Sequence, residues 1–345
     1  MHVTLIVPAP LSTISGGYGY DRRMVAEMRR LGHAMEVAEL PGSHPITDAQ
    51  ARDAACAALD RVPPGSRPLI DGLALPAFAG LDDALAATGA MALIHHPTSL
   101  EPGQEEAAQA RLREIEQRLI PRLHRLIVTS ELTADTLAQD FAADRGRIAV
   151  VTPGTDDAPR ATGSGGPGCR ILSVGTLIPR KGHDLLLRAL ARLFDLDWHL
   201  TIVGSETADP VHARGLRAMV DELGIANRVR FLGTLVGEAL EAEWQSTDIF
   251  ALATQYEGYG MVVAEALKRG LPIVVTKGGA AGALLTPDAG LACPVGDRDQ
   301  VSKSLRRVIY GAELRAEIAD NAWRLGQTLP SWADQAALFA RALQS

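Results

Sequence analysis

An α/β fold of two domains, each a parallel sheet interleaved with helices, is predicted by three observations. Short apolar runs without alternation recur near Leu5, Val37, Ile70, Leu93, Ile127 and Val150, and again near Leu172, Ile202, Phe231, Ala251 and Val274. Such runs suit strands buried on both faces of a parallel sheet. Helical patterns alternate with them. Between the two series lies Thr155 to Gly168, whose Gly, Pro, Ser and Asp content is that of a loop or hinge. The predicted division is residues 1–160, residues 161–330 and a last helix within 331–345.

The elements follow in order. His2 to Val7 is the first strand, and Ser15-Gly16-Gly17-Tyr18-Gly19 opens a helix that ends near Leu31-Gly32-His33. That helix carries Arg22, Arg23, Arg29 and Arg30, expected as a solvated basic face. Pro68-Leu69-Ile70 is a strand ending at Asp71, which could face an acceptor but by residue type reads first as a turn or helix cap. Met91 to Ile94 is a strand ending at His95 and His96, and Gln104 to Ile120 is a helix with Leu112, Ile115 and Leu119 on its core face. In the second series, Leu172-Ser173-Val174 leads through Gly175 to His183 into a helix over Asp184 to Phe194. Asp195-Leu196-Asp197 has the spacing of a carboxylate pair for a divalent cation, but it precedes the strand Trp198 to Val203. Ligands in such sheets bind at the opposite, carboxyl ends, so this is a turn and no catalytic metal is expected. Asp248 to Thr254 is a strand, Glu257-Gly258-Tyr259-Gly260 its loop, and a helix with Glu265 runs to Gly270 before the strand Leu271 to Val275. Ser331 to Leu343 is an amphipathic helix beginning near Trp332.

The chemistry sits at two of these loops. Gly258 and Gly260 leave room for a ligand, and the helix after them offers unpaired N–H groups and a positive dipole end to an anion such as a diphosphate. Glu265 lies within that helix, where its carboxylate can accept bonds from two adjacent hydroxyls such as those of a ribose. Arg180 and Lys181 combine a planar fork and a point charge suited to phosphate oxygens. Each feature alone would also fit solvated residues at an ordinary turn; the two motifs, each following a buried strand, point together to a phosphorylated ligand.

Together these motifs resemble the retaining glycosyltransferases of family 4, the glycosyl transferases group 1, over nearly the whole chain. The resemblance implies the GT-B fold: two facing Rossmann-like domains, acceptor-side then donor-side, with a last helix crossing back onto the first. It implies that Glu257 lies against the donor sugar, that Glu265 holds the nucleotide ribose and that Arg180 and Lys181 stabilise the diphosphate. It assigns Gly175, Gly258, Tyr259 and Gly260 to donor binding. Gly16 and Gly17 would approach the donor phosphates from the first domain, with His95 near the sugar and His96 in reserve. The chain departs from the family at Thr176, where many members have arginine, and at Gly282, where relatives often have an acid. The implied reaction moves a sugar from a nucleotide-diphosphate sugar to an acceptor nucleophile with retention, without metal or cofactor. The departing phosphate takes the acceptor's proton and domain closure excludes water. The acceptor stays open among a glycan, a lipid-linked sugar and a small metabolite. Two alternatives remain: different chemistry on the same fold, such as a phosphorylase-like or epimerase-like reaction, and a non-catalytic nucleotide or glycan binding protein. A nicotinamide dehydrogenase is disfavoured because no Gly-x-Gly-x-x-Gly follows the first strand.

Composition agrees. The 345 residues suffice for two full cores, and 34 basic against 41 acidic side chains, net charge -7, speak against general affinity for nucleic acid or anionic lipid. Cys56, Cys169 and Cys293 show no metal spacing and suggest reduced thiols. No secretory pattern opens the sequence and no apolar run is long enough to span a bilayer, so the expected location is cytoplasmic with at most peripheral membrane contact.

Overall fold

In the computed structural model, which describes residues 1–344, two six-stranded parallel sheets carry the chain. Each belongs to its own unit, one formed by Met1–Gly154 with the chain from Pro330 onward, the other by Thr155–Leu329.

In the first unit β1 (His2–Pro8), α1 (Gly16–Arg30), β2 (Ala34–Leu40), α2 (Ala49–Asp60) and β3 (Arg67–Asp71) are followed by α3 (Asp82–Ala87), β4 (Met91–Ile94), α4 (Glu106–Leu119), β5 (Arg125–Val128), α5 (Glu131–Asp140) and β6 (Ile148–Val150). The sheet order is β2-β1-β3-β4-β5-β6, so the strand order reverses between β1 and β3. Leu5 stands opposite Val37 on one side and Leu69 on the other. Ile6, Ile70, Ala92 and Val128 face one core with Leu119 and Leu137. Covered on both faces, these strands need no alternation, which is why they read as continuous apolar runs. Leu112 and Leu119 of α4 are buried and Ile115 packs on the same core. Buried Glu116 of that helix accepts bonds from the backbone N–H and hydroxyl of both Thr98 and Ser99.

In the second unit β7 (Cys169–Val174), α6 (His183–Leu190), β8 (Trp198–Val203), α7 (Pro210–Glu222), β9 (Val229–Phe231), α8 (Gly237–Gln245), β10 (Ile249–Leu252), α9 (Met261–Lys268), β11 (Ile273–Thr276), β12 (Gly290–Cys293), α10 (Arg298–Tyr310) and α11 (Ala312–Gln327) form a sheet of order β12-β11-β10-β7-β8-β9. Here the order reverses between β7 and β10. β12, paired parallel to β11 at the sheet edge, is absent from the sequence expectation. Its Gly-Leu-Ala-Cys run is too short to signal a strand. α6 ends at Leu190, four residues before the expected Phe194. The Leu193 carbonyl is taken by the Trp198 indole N–H at 2.9 Å, which turns the chain into β8.

The loop-like stretch from Thr155 to Gly168 has no helix or strand and is held to the second unit. The N–H groups of Thr162 and Gly163 donate to the Gln245 carbonyl, and that of Ser164 donates to the Asp248 carboxylate at 3.0 Å. The final helix, α12 (Trp332–Gln344), belongs to the first unit. The Tyr20 ring of α1 meets Trp332 and Phe339 edge-on at 5.9 and 6.4 Å. The basic residues of α1 are drawn into local structure. Arg22 donates to the carbonyls of Leu11 and Thr13, Arg29 to that of Met35, Arg30 pairs with Glu27 and Arg23 lies over Trp332. Among the described residues no helix is long and apolar enough to cross a membrane.

Candidate functional site

In an open parallel sheet the loops beyond the carboxyl ends part where the strand order reverses, which leaves a crevice for a ligand. In the second unit that point lies between the loops after β7 and β10, and both sequence motifs fall on it. Lys181 and Arg180 close a short helical turn, Pro179–Lys181, and Gly182 follows with φ +65°. A Cβ on Gly182 would stand 2.0 Å from the Ala253 carbonyl oxygen, so only glycine lets the two loops approach this closely. The Arg180 carbonyl accepts from the Gln255 N–H at 2.7 Å, and the Thr254 hydroxyl oxygen lies 3.0 Å from it. Gly175 gives passage to the Lys181 stem, whose Cδ would lie 3.2 Å from an added Cβ.

These contacts bring three charged side chains together. The Glu257 Oε1 accepts from Lys181 Nζ at 2.6 Å and from the Thr254 hydroxyl at 3.0 Å, with Arg180 Nη1 at 3.4 Å. Arg180 Nη1 also donates to the Tyr256 carbonyl at 2.7 Å. Burial alone would raise the Glu257 pKa; Lys181 and then Arg180 outweigh it and hold the carboxyl below its usual range. Two cations thus flank the one Glu257 carboxylate. An ammonium has three donors, so Lys181 can serve Glu257 and a phosphate oxygen together. The backbone of Glu257 is fixed by the glycine loop after β11. Its N–H donates to the Gly278 carbonyl at 3.1 Å, and its carbonyl accepts from the Ala280 N–H at 2.8 Å. An acid at 282 would begin 3.0 Å from the Lys277 Cα, which gives the family departure at Gly282 a steric reason.

Gly258, half-buried, and the buried Tyr259 carry the loop to Gly260, which caps α9 with φ +102°. Burial pushes the Tyr259 hydroxyl up to about 12, so it stays neutral. Glu265 is half-buried on α9, and burial pushes it up to about 6 although Arg269 pulls the other way. Arg269 donates instead to Glu241 and to the Glu265 carbonyl, and among the described residues none donates to the Glu265 carboxylate. A half-desolvated acceptor pair without donors suits a vicinal diol. His183, fully buried without a polar partner, is driven down to about 3 by burial and by Lys181, and is a neutral core residue.

In the first unit, Gly16 and Gly17 open α1 and His95 follows β4, at the carboxyl ends of the strands. Gly17 faces the histidine: an added Cβ would lie 3.2 Å from His95 Cδ2. Tyr20 packs edge-on against the imidazole at 5.3 Å. His95 Nε2 lies 3.1 Å from Asp21 Oδ1 and 3.6 Å from Asp71 Oδ2. Asp71 caps its turn as expected, accepting from the Leu73 N–H at 2.8 Å, and also joins this cluster. His96 is drawn away to Glu101 at 2.7 Å. The Asp21, Asp71 and His95 donor atoms lie within 4.8 Å of one another, close enough to consider a cation. The bonds already made argue for a shared proton: His95 Nε2 is bound to Asp21, and Asp71 is tied to its turn. At the amino end of β8, Asp195 is paired with Arg306 at 2.7 Å on the surface.

Sequence reasoning missed Asp21 and Thr254. A signal for Asp21 existed: positions 17, 20 and 21 are one helical turn apart and all three face His95. Thr254 lies on the recognised strand run, but its role depends on a partner loop far away in sequence.

Residues 156–324 match the family model of the glycosyl transferases group 1. A D-inositol 3-phosphate glycosyltransferase of Mycolicibacterium gilvum is 36% identical over 201 residues, 55% of this chain and 42% of that relative, so the match spans less than half of the relative's length. Among solved structures, sucrose-phosphate synthase from Thermosynechococcus elongatus superposes with a TM-score of 0.84 at 17% identity, covering 100% of this chain and 98% of the other. Anabaena HepE in complex with UDP-glucose superposes with a TM-score of 0.78 at 18% identity, covering 99% and 100%. At these identities the structures establish the fold, which is GT-B with two Rossmann-like units.

Proposed function

We propose that this chain, which belongs to the group 1 glycosyl transferases through residues 156–324, moves a sugar from a nucleoside-diphosphate sugar to an acceptor nucleophile, with retention and without a metal. The observation that carries the reading is the cationic group of Lys181, Arg180 and Glu257 where the strand order reverses. Cleaving the anomeric bond builds negative charge on the departing diphosphate and positive charge on the sugar. A preorganised ammonium and guanidinium supply the first with stabilisation that costs no reorganisation. Glu257 keeps them in place and offers negative charge to the sugar, while Glu265 holds the ribose. In a retaining displacement the acceptor enters on the face the phosphate leaves, so that phosphate can take the proton and no separate base is needed. UDP-glucose, crystallised with HepE, is the first donor to try.

The test is Lys181→Ala. Losing a preorganised donor to the developing charge costs about 10²–10³ in kcat. Binding of the donor, shared with Glu265 and the loop amides, should weaken far less. Wild-type turnover in that variant would remove the leaving-group role.

A further inference from the structure

The first unit places an imidazole against two buried carboxylates, 3.1 Å from Asp21 and 3.6 Å from Asp71. Asp21 is 1% exposed and Asp71 3% exposed. Two carboxylates this close are costly unless a positive charge or a shared proton offsets them. The groups shifting His95 are Asp21 of α1 and Asp71 of β3. Tyr18 of α1 lies in the same field as Asp21, Asp71 and Glu39 of β2, and is raised by burial first and then by those carboxylates. Tyr20 contributes a ring edge, and the Thr129 hydroxyl bonds the His95 carbonyl, leaving the ring alone. The imidazole is thus held through Nε2, while Nδ1 has no hydrogen-bond partner among the described residues and is not sealed from solvent.

We propose that Asp21 and Asp71 are positioning residues for His95, keeping its imidazole protonated and oriented so that Nδ1–H is a fixed hydrogen-bond donor to an oxygen of the substrate. A neutral ring with its proton on Nε2 would offer only a lone pair at Nδ1; the imidazolium offers a donor. Burial works against the charged ring, but Asp21, by charge and hydrogen bond, and then Asp71 prevail, so His95 is raised. Asp71 itself is pushed up to about 7, by burial and then by Asp21. Rising pH therefore ionises Asp71 near neutrality, which strengthens the hold on the histidine proton. The identification of the oxygen as a substrate's rests on the transferase reading above; the charge state of His95 does not.

The test is a titration of the full chain labelled with ¹⁵N-histidine, with the His95 signals assigned by their loss in His95→Gln. The expected midpoint lies above the ordinary value near 6.5. Asp21→Asn should lower it by about one unit or more, and Asp71→Asn by less. A midpoint at or below the ordinary value, or one unmoved in a folded Asp21→Asn, overturns the proposal. If Asp21→Asn does not fold, the wild-type and Asp71→Asn titrations decide. With UDP-glucose as probe, the alkaline limb of kcat/KM should move down in Asp71→Asn by the same amount as the His95 midpoint, less than about one unit, with activity lost above the limb and none lost at acid pH. A merely structural role would lower stability without moving either midpoint. Failure of every nucleotide sugar to bind would sink the transferase reading while the titration still judged this one.

Discussion

Glu265→Gln should make the ligand-free protein more stable and the nucleotide complex weaker. The carboxyl is pushed from its ordinary 4.5 to about 6. A group whose pKa is raised on folding contributes stability at pH below its unfolded value and loses it as pH rises through the folded value. A shift of this size corresponds to about 2 kcal/mol at pH 8, and partial exposure makes that an upper figure. Glutamine keeps the shape and carries no such cost. The variant should gain about 1–2 kcal/mol at pH 8 in urea unfolding, and the gain should fade below about pH 5. Binding should move the other way, because hydrogen bonds to a charged acceptor contribute about 1.5–3 kcal/mol, or roughly ten- to a hundredfold in Kd. A 2′,3′-dideoxynucleoside diphosphate should bind both forms equally, since it lacks the diol. Calorimetry with the two nucleotides and unfolding at two pH values give four numbers. A variant that is less stable at pH 8, or that binds the ribonucleotide as tightly as the wild type, would refute the reasoning.

Two further expectations follow from the same geometry. Gly279→Ala puts a Cβ 2.2 Å from the Glu257 carbonyl oxygen at φ +65°; the strain and the displaced Glu257 loop should cost about 3 kcal/mol or more in unfolding and abolish nucleotide-induced stabilisation. Asp195→Asn removes an exposed ion pair and should leave the urea unfolding midpoint essentially unchanged. Turnover in wild type and in that variant should be indifferent to a chelator and to added Mg²⁺, whereas a Mg²⁺ requirement lost with Asp195 would restore the carboxylate pair as a metal site.

What the sequence disclosed was local. The run from Asp248 to Gly270 encodes strand, glycine loop and helix in adjacent residues, so Glu257, Gly260 and Glu265 could be placed without knowing the rest of the sheet. The pairing of Lys181 with Glu257, 76 residues apart, could not be read the same way. It requires β7 and β10 to be neighbours, a fact of strand order that no local pattern contains. Asp21 was hidden for a related reason. Four arginines dominated the reading of α1, while its partner His95 lies 74 residues on. β12 escaped because four residues with a leading glycine carry too little pattern, and its place comes from pairing with β11.

The account stands or falls on a diphosphate meeting the cationic group after β7 and β10. Isothermal calorimetry of UDP, GDP and ADP against the wild type, Lys181→Ala and Glu265→Ala tests it most directly. The account predicts saturable one-to-one binding of one nucleotide, weakened by added salt, reduced in Lys181→Ala and lost in Glu265→Ala. Binding of none of them, or equal binding in all three proteins, would contradict it.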